Sequence, residues 1–140
     1  MLRKAFFILA LSLLLAGCTG NSKPATQVTL LATEFAYSPN TIVVPVGQPI
    51  TITIQNNGAK EHDFVIEKIK VTNVVEKEDE MNMQHDMGSM KYDLHMSTTA
   101  GNSNTITFTP TETGVYEFFC TVEGHKTAGM VGKLSVVAEE

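Results

Sequence analysis

The stretch that most restricts the fold of this chain runs from Gly114 to Gly132. Tyr116, Phe118 and Cys120 fall on one face of a strand that begins after Gly114. At Cys120 the pattern breaks into a short loop carrying Gly124 and Gly129, then resumes as a strand toward Leu134 and Val136. Read through the loop, the spacing is Cys120-x4-His125-x4-Met130. The two glycines give the backbone the freedom to bring three side chains to one point. A thiolate, an imidazole and a thioether form a soft, mixed donor set that suits copper better than magnesium or calcium. A trigonal His2Cys set with a weak axial Met is the blue-copper arrangement, so this loop lacks one histidine. His62, in Glu61-His62-Asp63-Phe64-Val65-Ile66, is the natural supplier.

Taken singly, each of these residues has a plainer reading. A free Cys is often a small buried hydrophobe, a Met a core filler, and a His a satisfied polar group. The conjunction of four donors at matched spacing in a β context carries the copper assignment. Zinc is the main chemical competitor, but zinc sites seldom use a thioether.

The rest of the chain reads as strands and turns. Ile50, Ile52 and Ile54 alternate with Thr51, Thr53 and Gln55, the period of a half-buried strand. Val28–Ala32, Thr41–Val44, Phe64–Ile66 and Thr105–Phe108 are further β-rich runs, and Leu134 with Val136 marks the last. Ser38-Pro39-Asn40, the Pro45–Pro49 run and Asn56-Asn57-Gly58 punctuate them as turns. Short strands at this spacing predict an all-β, Greek-key sandwich or barrel. A chain of 140 residues has room for one such domain.

The pattern Pro39…Ile42-x-Val44…Gly47…Ile52…Asn56…His62, followed by Gly114-x-Tyr116-x-Phe118-x-Cys120, resembles the cupredoxin family over roughly residues 28–137. The Cys-x4-His-x4-Met loop is closer to the auracyanin and rusticyanin type than to plastocyanin, whose loop is shorter. The resemblance implies one type 1 copper held by His62, Cys120, His125 and Met130. It also implies single-electron transfer through the imidazole edge of His125, which is expected to be the exposed ligand because Ala128, Gly129 and Val131 around it are small or apolar and suit a docking patch for a redox protein. One departure stands out. Many cupredoxins have Asn directly after the upstream histidine, where its side chain ties the ligand loops together; here that residue is Asp63. A carboxylate can accept the same hydrogen bonds but adds negative charge beside the metal.

The N-terminus is a different object. Arg3 and Lys4 precede an apolar run, Ala5 to Leu15, too short for comfort as a membrane span, and Leu15-Ala16-Gly17-Cys18 closes it. That ending resembles the lipobox of bacterial lipoproteins, in which cleavage precedes the cysteine and its thiol is lipidated; an ordinary secretory signal is the alternative. On this reading residues 1–17 are a signal peptide, Cys18 is the lipid anchor, 18–27 a flexible tether and 28–140 the domain. A Cys18–Cys120 disulfide is rejected because it would consume the loop thiol. Loss of residues 1–17 removes two cations and no acid, so the formal charge moves from −5 to −7. That acidity argues against nucleic acid or anionic lipid headgroups as partners.

A segment at about 76–98 interrupts the strand pattern. Five of the seven methionines and two of the four histidines lie between Met81 and Met96, which makes this the densest run of soft donors in the chain. Met81, Met83, His85, Met87, Met90, His95 and Met96 are candidates for a second site, selective for Cu(I). The flanking acids Glu76, Glu78, Asp79 and Glu80 predict a solvent-facing insertion rather than core, and the alternative is a loosely packed surface segment.

The leading expectation is therefore an exported, monomeric blue copper protein, tethered to a bacterial membrane or envelope, that carries electrons between redox proteins. A copper-binding protein for capture, delivery or tolerance, using the Met/His segment, is the alternative. No second histidine cluster is available for a catalytic copper, so the chain is not read as an enzyme.

Overall fold

The computed structural model describes residues 23–77 and 91–139. The signal segment, Cys18, Met81, Met83, His85, Met87 and Met90 lie outside the described residues.

Ten strands and no helix occur among the described residues. In chain order they are β1 (Gln27–Thr33), β2 (Ala36–Ser38), β3 (Thr41–Pro45), β4 (Ile50–Asn56), β5 (His62–Ile66), β6 (Val71–Lys77), β7 (Leu94–Thr98), β8 (Ser103–Pro110), β9 (Gly114–Phe119) and β10 (Val131–Val137). They form two five-stranded sheets, ordered β2-β1-β4-β8-β6 and β3-β10-β9-β5-β7. From β2 to β9 the chain changes sheet at every step, the crossing connectivity of the expected Greek-key sandwich. β1 runs parallel to β4 and β3 parallel to β10; the other pairings are antiparallel.

The alternation in β4 performs as the sequence predicts. Ile50, Ile52 and Ile54 are fully buried, while Thr51 and Thr53 turn to the other face and meet Thr107 and Thr105 across the β8 pairing at 3.3 and 3.1 Å. Opposite them the second sheet contributes Phe64, Ile66, Leu94, Met96, Phe118, Leu134 and Val136 to the same core. Order also begins earlier than Val28, since Gln27 is already in β1 and the Ala25 N–H donates to the Val43 carbonyl at 2.9 Å.

The segment at 76–98 is not an insertion from end to end. Its first residues finish β6, an edge strand that bulges between Thr72 and Val75, and its last residues are β7. Along β7, Leu94, Met96 and Thr98 point inward while His95 and Ser97 point outward, and the whole strand pairs with β5. Met96 is therefore a core residue with no exposed surface, which corrects its reading as a solvent-facing soft ligand. The cause is ordinary period-2 burial, which captures a thioether as readily as any other apolar side chain.

Candidate metal centre

β5, β9 and the loop that follows β9 deliver the donors. β9 carries its register directly into Cys120: Phe118 pairs with Gly132 on β10, Phe119 pairs with Val65 on β5, and Phe118 is fully buried. Tyr116, expected beside Phe118 in the core, is half-buried and packs against its margin. The loop after Cys120 is closed by its own backbone. The His125 N–H donates to the Val122 carbonyl at 3.0 Å, the Met130 N–H to the His125 carbonyl at 3.0 Å, and the Cys120 N–H to the Met130 carbonyl at 3.3 Å. Cys120, His125 and Met130 are thus bonded to one another through the main chain. Gly124 and Gly129 take φ of 81° and 103°, the region expected of them and costly for any other residue. On the outer side, Lys126 lies 3.6 Å from the centre of the Phe119 ring and pairs with Glu117 at 2.8 Å, fastening the loop to β9.

His62 enters from the first position of β5. His62 and Cys120 are fully buried, His125 is 3% exposed, and one ligand atom from each lies within 4.8 Å of the others. The two imidazole centroids are 5.1 Å apart, and Cys120 Sγ lies 3.5 Å from His125 Nδ1. Met130, also fully buried, belongs to the same packed cluster as Cys120. The structure thus brings His62, Cys120 and His125 together and buries Met130 with them. His95 is elsewhere: it stands half-buried on β7, 3.4 Å from Ser97 Oγ and beside the Tyr92 ring.

Neither ring nitrogen of His62 has a hydrogen-bond partner. Leaving buried polar atoms unpaired costs about 1–3 kcal/mol each, and a metal ion at the imidazole removes part of that cost. Burial, together with the charge of His125, holds His62 below its ordinary pKa, so the ring is kept neutral as a ligand must be. Burial pushes the Cys120 thiol up, opposed by hydrogen bonds from the backbone of Asp63 and Val122. Metal binding must then displace the thiol proton. Two imidazoles, a thiol whose proton the metal would displace and a buried thioether fit copper, which when bound supplies a one-electron redox couple.

Asp63 answers the question raised by its departure from Asn. Its backbone N–H donates to Cys120 Sγ at 3.4 Å, and its backbone carbonyl accepts from the Tyr37 hydroxyl. Its side chain accepts from Ser97 Oγ at 2.7 Å and from Thr121 Oγ1. One buried residue therefore joins β2, β5, β7 and the ligand loop. Burial, with the nearby Cys120 and Asp63 charges, pushes the Tyr37 hydroxyl well above its usual value, so it remains a donor. Tyr37, Ser97 and Thr121 carry no sequence signal for this role, because the contacts exist only once the strands have paired.

The site also has a roof that the sequence does not announce. Phe35, in the turn between β1 and β2, is 49% exposed, and its ring meets His125 edge-on at 5.2 Å. Its φ of 64° is a left-handed conformation rare for a bulky residue. His125, expected to be the exposed ligand, is covered by this ring, while Ala128 and Gly129 beside it are exposed and Val131 is half-buried. Next to Phe35, Glu34 is held below the usual carboxylate range by the Ala59 N–H and its own backbone, with His62 and His125 acting in the same direction.

Comparison with known proteins agrees with this geometry. The chain is 32% identical over 114 residues to the copper-resistant cuproprotein CopI of Rubrivivax gelatinosus, covering 79% of this chain and 66% of that one, just under two thirds of its length. It is 35% identical over 104 residues to plastocyanin of Mercurialis perennis, covering 74% of this chain and 89% of the relative. Dithionite-reduced auracyanin from the photosynthetic bacterium Roseiflexus castenholzii superposes with a TM-score of 0.62 at 27% identity, covering 82% of this chain and 99% of that structure. Residues 24–137 match the family of copper binding proteins described as plastocyanin/azurin. With the cluster of His62, Cys120, His125 and Met130 in the place the β-sandwich prepares for it, the chain belongs to the plastocyanin/azurin family of copper-binding proteins, the cupredoxins.

Proposed function

We propose that the protein is an exported electron carrier, tethered to a membrane through Cys18, that exchanges single electrons with redox proteins at the His125 face. The observation that carries the reading is the placement of His125. It belongs to the buried donor cluster, yet it lies against the half-exposed ring of Phe35 and shares its loop with exposed Ala128 and Gly129. A small apolar surface of this kind lets a partner approach the ligand closely without a large desolvation cost. Similarity to plastocyanin and to auracyanin supports the carrier role.

The experiment is stopped-flow mixing of the copper-loaded domain with a small inorganic redox complex and then with a c-type cytochrome. Rapid bimolecular oxidation and reduction, slowed in both cases when Ala128→Glu or Gly129→Glu crowds the face, is expected. Exchange indifferent to those changes contradicts the His125 route. Detergent partitioning of the full chain against Cys18→Ala checks the tether: the variant moves to the aqueous phase if Cys18 holds the lipid.

A second reading, copper capture or tolerance, is favoured by the similarity to CopI, a copper-resistant cuproprotein. It would use Met81, Met83, His85, Met87 and Met90 for a Cu(I) ion. A deletion confined to residues 78–90 tests it. Extending the deletion to His95 would remove part of β7 and confuse the result. Competition with a chelator should show two Cu(I) per intact domain and one in the deletion; a single ion in both rejects the second site.

A further inference from the structure

The turn between β1 and β2 places a residue over each histidine. Phe35 covers His125, and Glu34 reaches the other way into a corner made by Asn56, Gly58 and His62. A Cβ at Gly58 would stand 2.6 Å from His62 Nε2, 2.9 Å from Glu34 Oε1 and 3.2 Å from Asn56 Oδ1. Imidazole and carboxylate thus converge on the space a side chain would fill, which is the physical reason for glycine here.

Each acceptor in this corner is held in place. Glu34 Oε1 accepts from the Ala59 N–H at 2.5 Å, and Asn56 Oδ1 accepts from the Gly58 N–H at 2.9 Å. The Asn56 amide is fixed in turn, its Nδ2 donating to the carbonyls of Lys60 and Thr98 at 2.7 Å each. Within this corner His62 Nε2 is buried with no partner. With Nε2 aimed into this corner, Nδ1 is the nitrogen left for the donor cluster. A histidine that ligates through Nδ1 carries its proton on Nε2 and needs an acceptor there to fix its tautomer and ring orientation.

We propose that the Glu34 carboxylate is the acceptor for His62 Nε2–H in the copper-loaded protein, making Glu34 a positioning residue for the metal centre. A carboxylate has about four lone-pair sites, so the bond to Ala59 leaves capacity for a second donor. An anionic acceptor raises the basicity of the ligating imidazole and so favours the more highly charged Cu(II). The inference rests on the copper centre and stands or falls independently of the electron-carrier reading.

The test follows the His62 Nε2–H proton by NMR in the diamagnetic Cu(I) form, alongside the midpoint potential. Glu34 lies on the surface, so its substitution leaves the core intact. Glu34→Gln keeps an acceptor oxygen without the charge, and Glu34→Ala removes both. The expected result is solvent exchange of that proton accelerated about tenfold in Glu34→Gln and further in Glu34→Ala, with the potential rising in the same order. Glu61→Gln, which removes a surface charge next to His62 in sequence, should leave the exchange rate unchanged. Exchange unaltered in both Glu34 variants, or accelerated equally in Glu61→Gln, overturns the assignment.

Discussion

Phe35 meets the imidazole of His125 edge-on at 5.2 Å with an interplanar angle of 79°, from a backbone held at φ 64°. A strained residue thus places its ring against a metal ligand. Such strain, of order 1–3 kcal/mol, persists where the surrounding structure enforces it. Phe35→Gly removes both ring and strain, whereas Phe35→Ala removes only the ring. Urea denaturation of the metal-free domain should find Phe35→Gly more stable than Phe35→Ala by about 1 kcal/mol. Both variants should retain copper and exchange electrons faster with a small inorganic complex.

Asp63 should matter through its acceptors rather than its size. Asp63→Ala leaves the hydroxyls of Ser97 and Thr121 without their partner, and is expected to destabilise the domain by about 1–3 kcal/mol. Asp63→Asn keeps one acceptor oxygen and should recover most of that loss. Because it removes a negative charge beside the metal, Asp63→Asn should also raise the reduction potential. Thermal unfolding and protein-film voltammetry check the two halves of this prediction.

His62 sets a pH dependence on the metal-free fold. Its pKa is depressed on folding, chiefly by burial, from an ordinary value of 6.5. The unfolded chain therefore binds the proton more readily, and the stability His62 contributes is present above pH 6.5 and lost as pH falls toward its folded value. The urea midpoint of the metal-free domain should drop between pH 7.5 and pH 5.5. His62→Gln should flatten that part of the profile.

The overall architecture was legible because β4, β8 and the strand leading to Cys120 alternate cleanly, and because loop spacing is a local property. β7 shows where legibility ended. Leu94, Met96 and Thr98 alternate in burial as clearly as Ile50, Ile52 and Ile54, but the density of methionine and histidine nearby masks that rhythm in the sequence. β6 is exposed along most of its length, so it offers no apolar rhythm at all. Around the metal, the donors were readable and their supports were not. Phe35, Glu34, Tyr37 and Ser97 reach the site only through strand pairing across the sandwich, and nothing in their immediate neighbours distinguishes them.

Met130 is expected to tune the centre rather than hold it. Met130→Leu keeps the buried volume and removes the thioether, so the site should remain coloured with a higher potential, since loss of a weak donor disfavours Cu(II). Visible spectroscopy and voltammetry of the variant check this, and loss of copper would show that Met130 is a principal ligand.

The most direct measurement is a Cu(II) titration of the domain beginning at residue 23, followed by visible absorption and EPR, beside the same titration of Cys120→Ser. Wild type should bind one ion at the blue site, with an intense thiolate-to-copper band and the narrow hyperfine splitting of a blue site, and Cys120→Ser should show neither. A wild-type domain without the band, or a Cys120→Ser variant that keeps it, contradicts the assignment of Cys120 and the centre built around it.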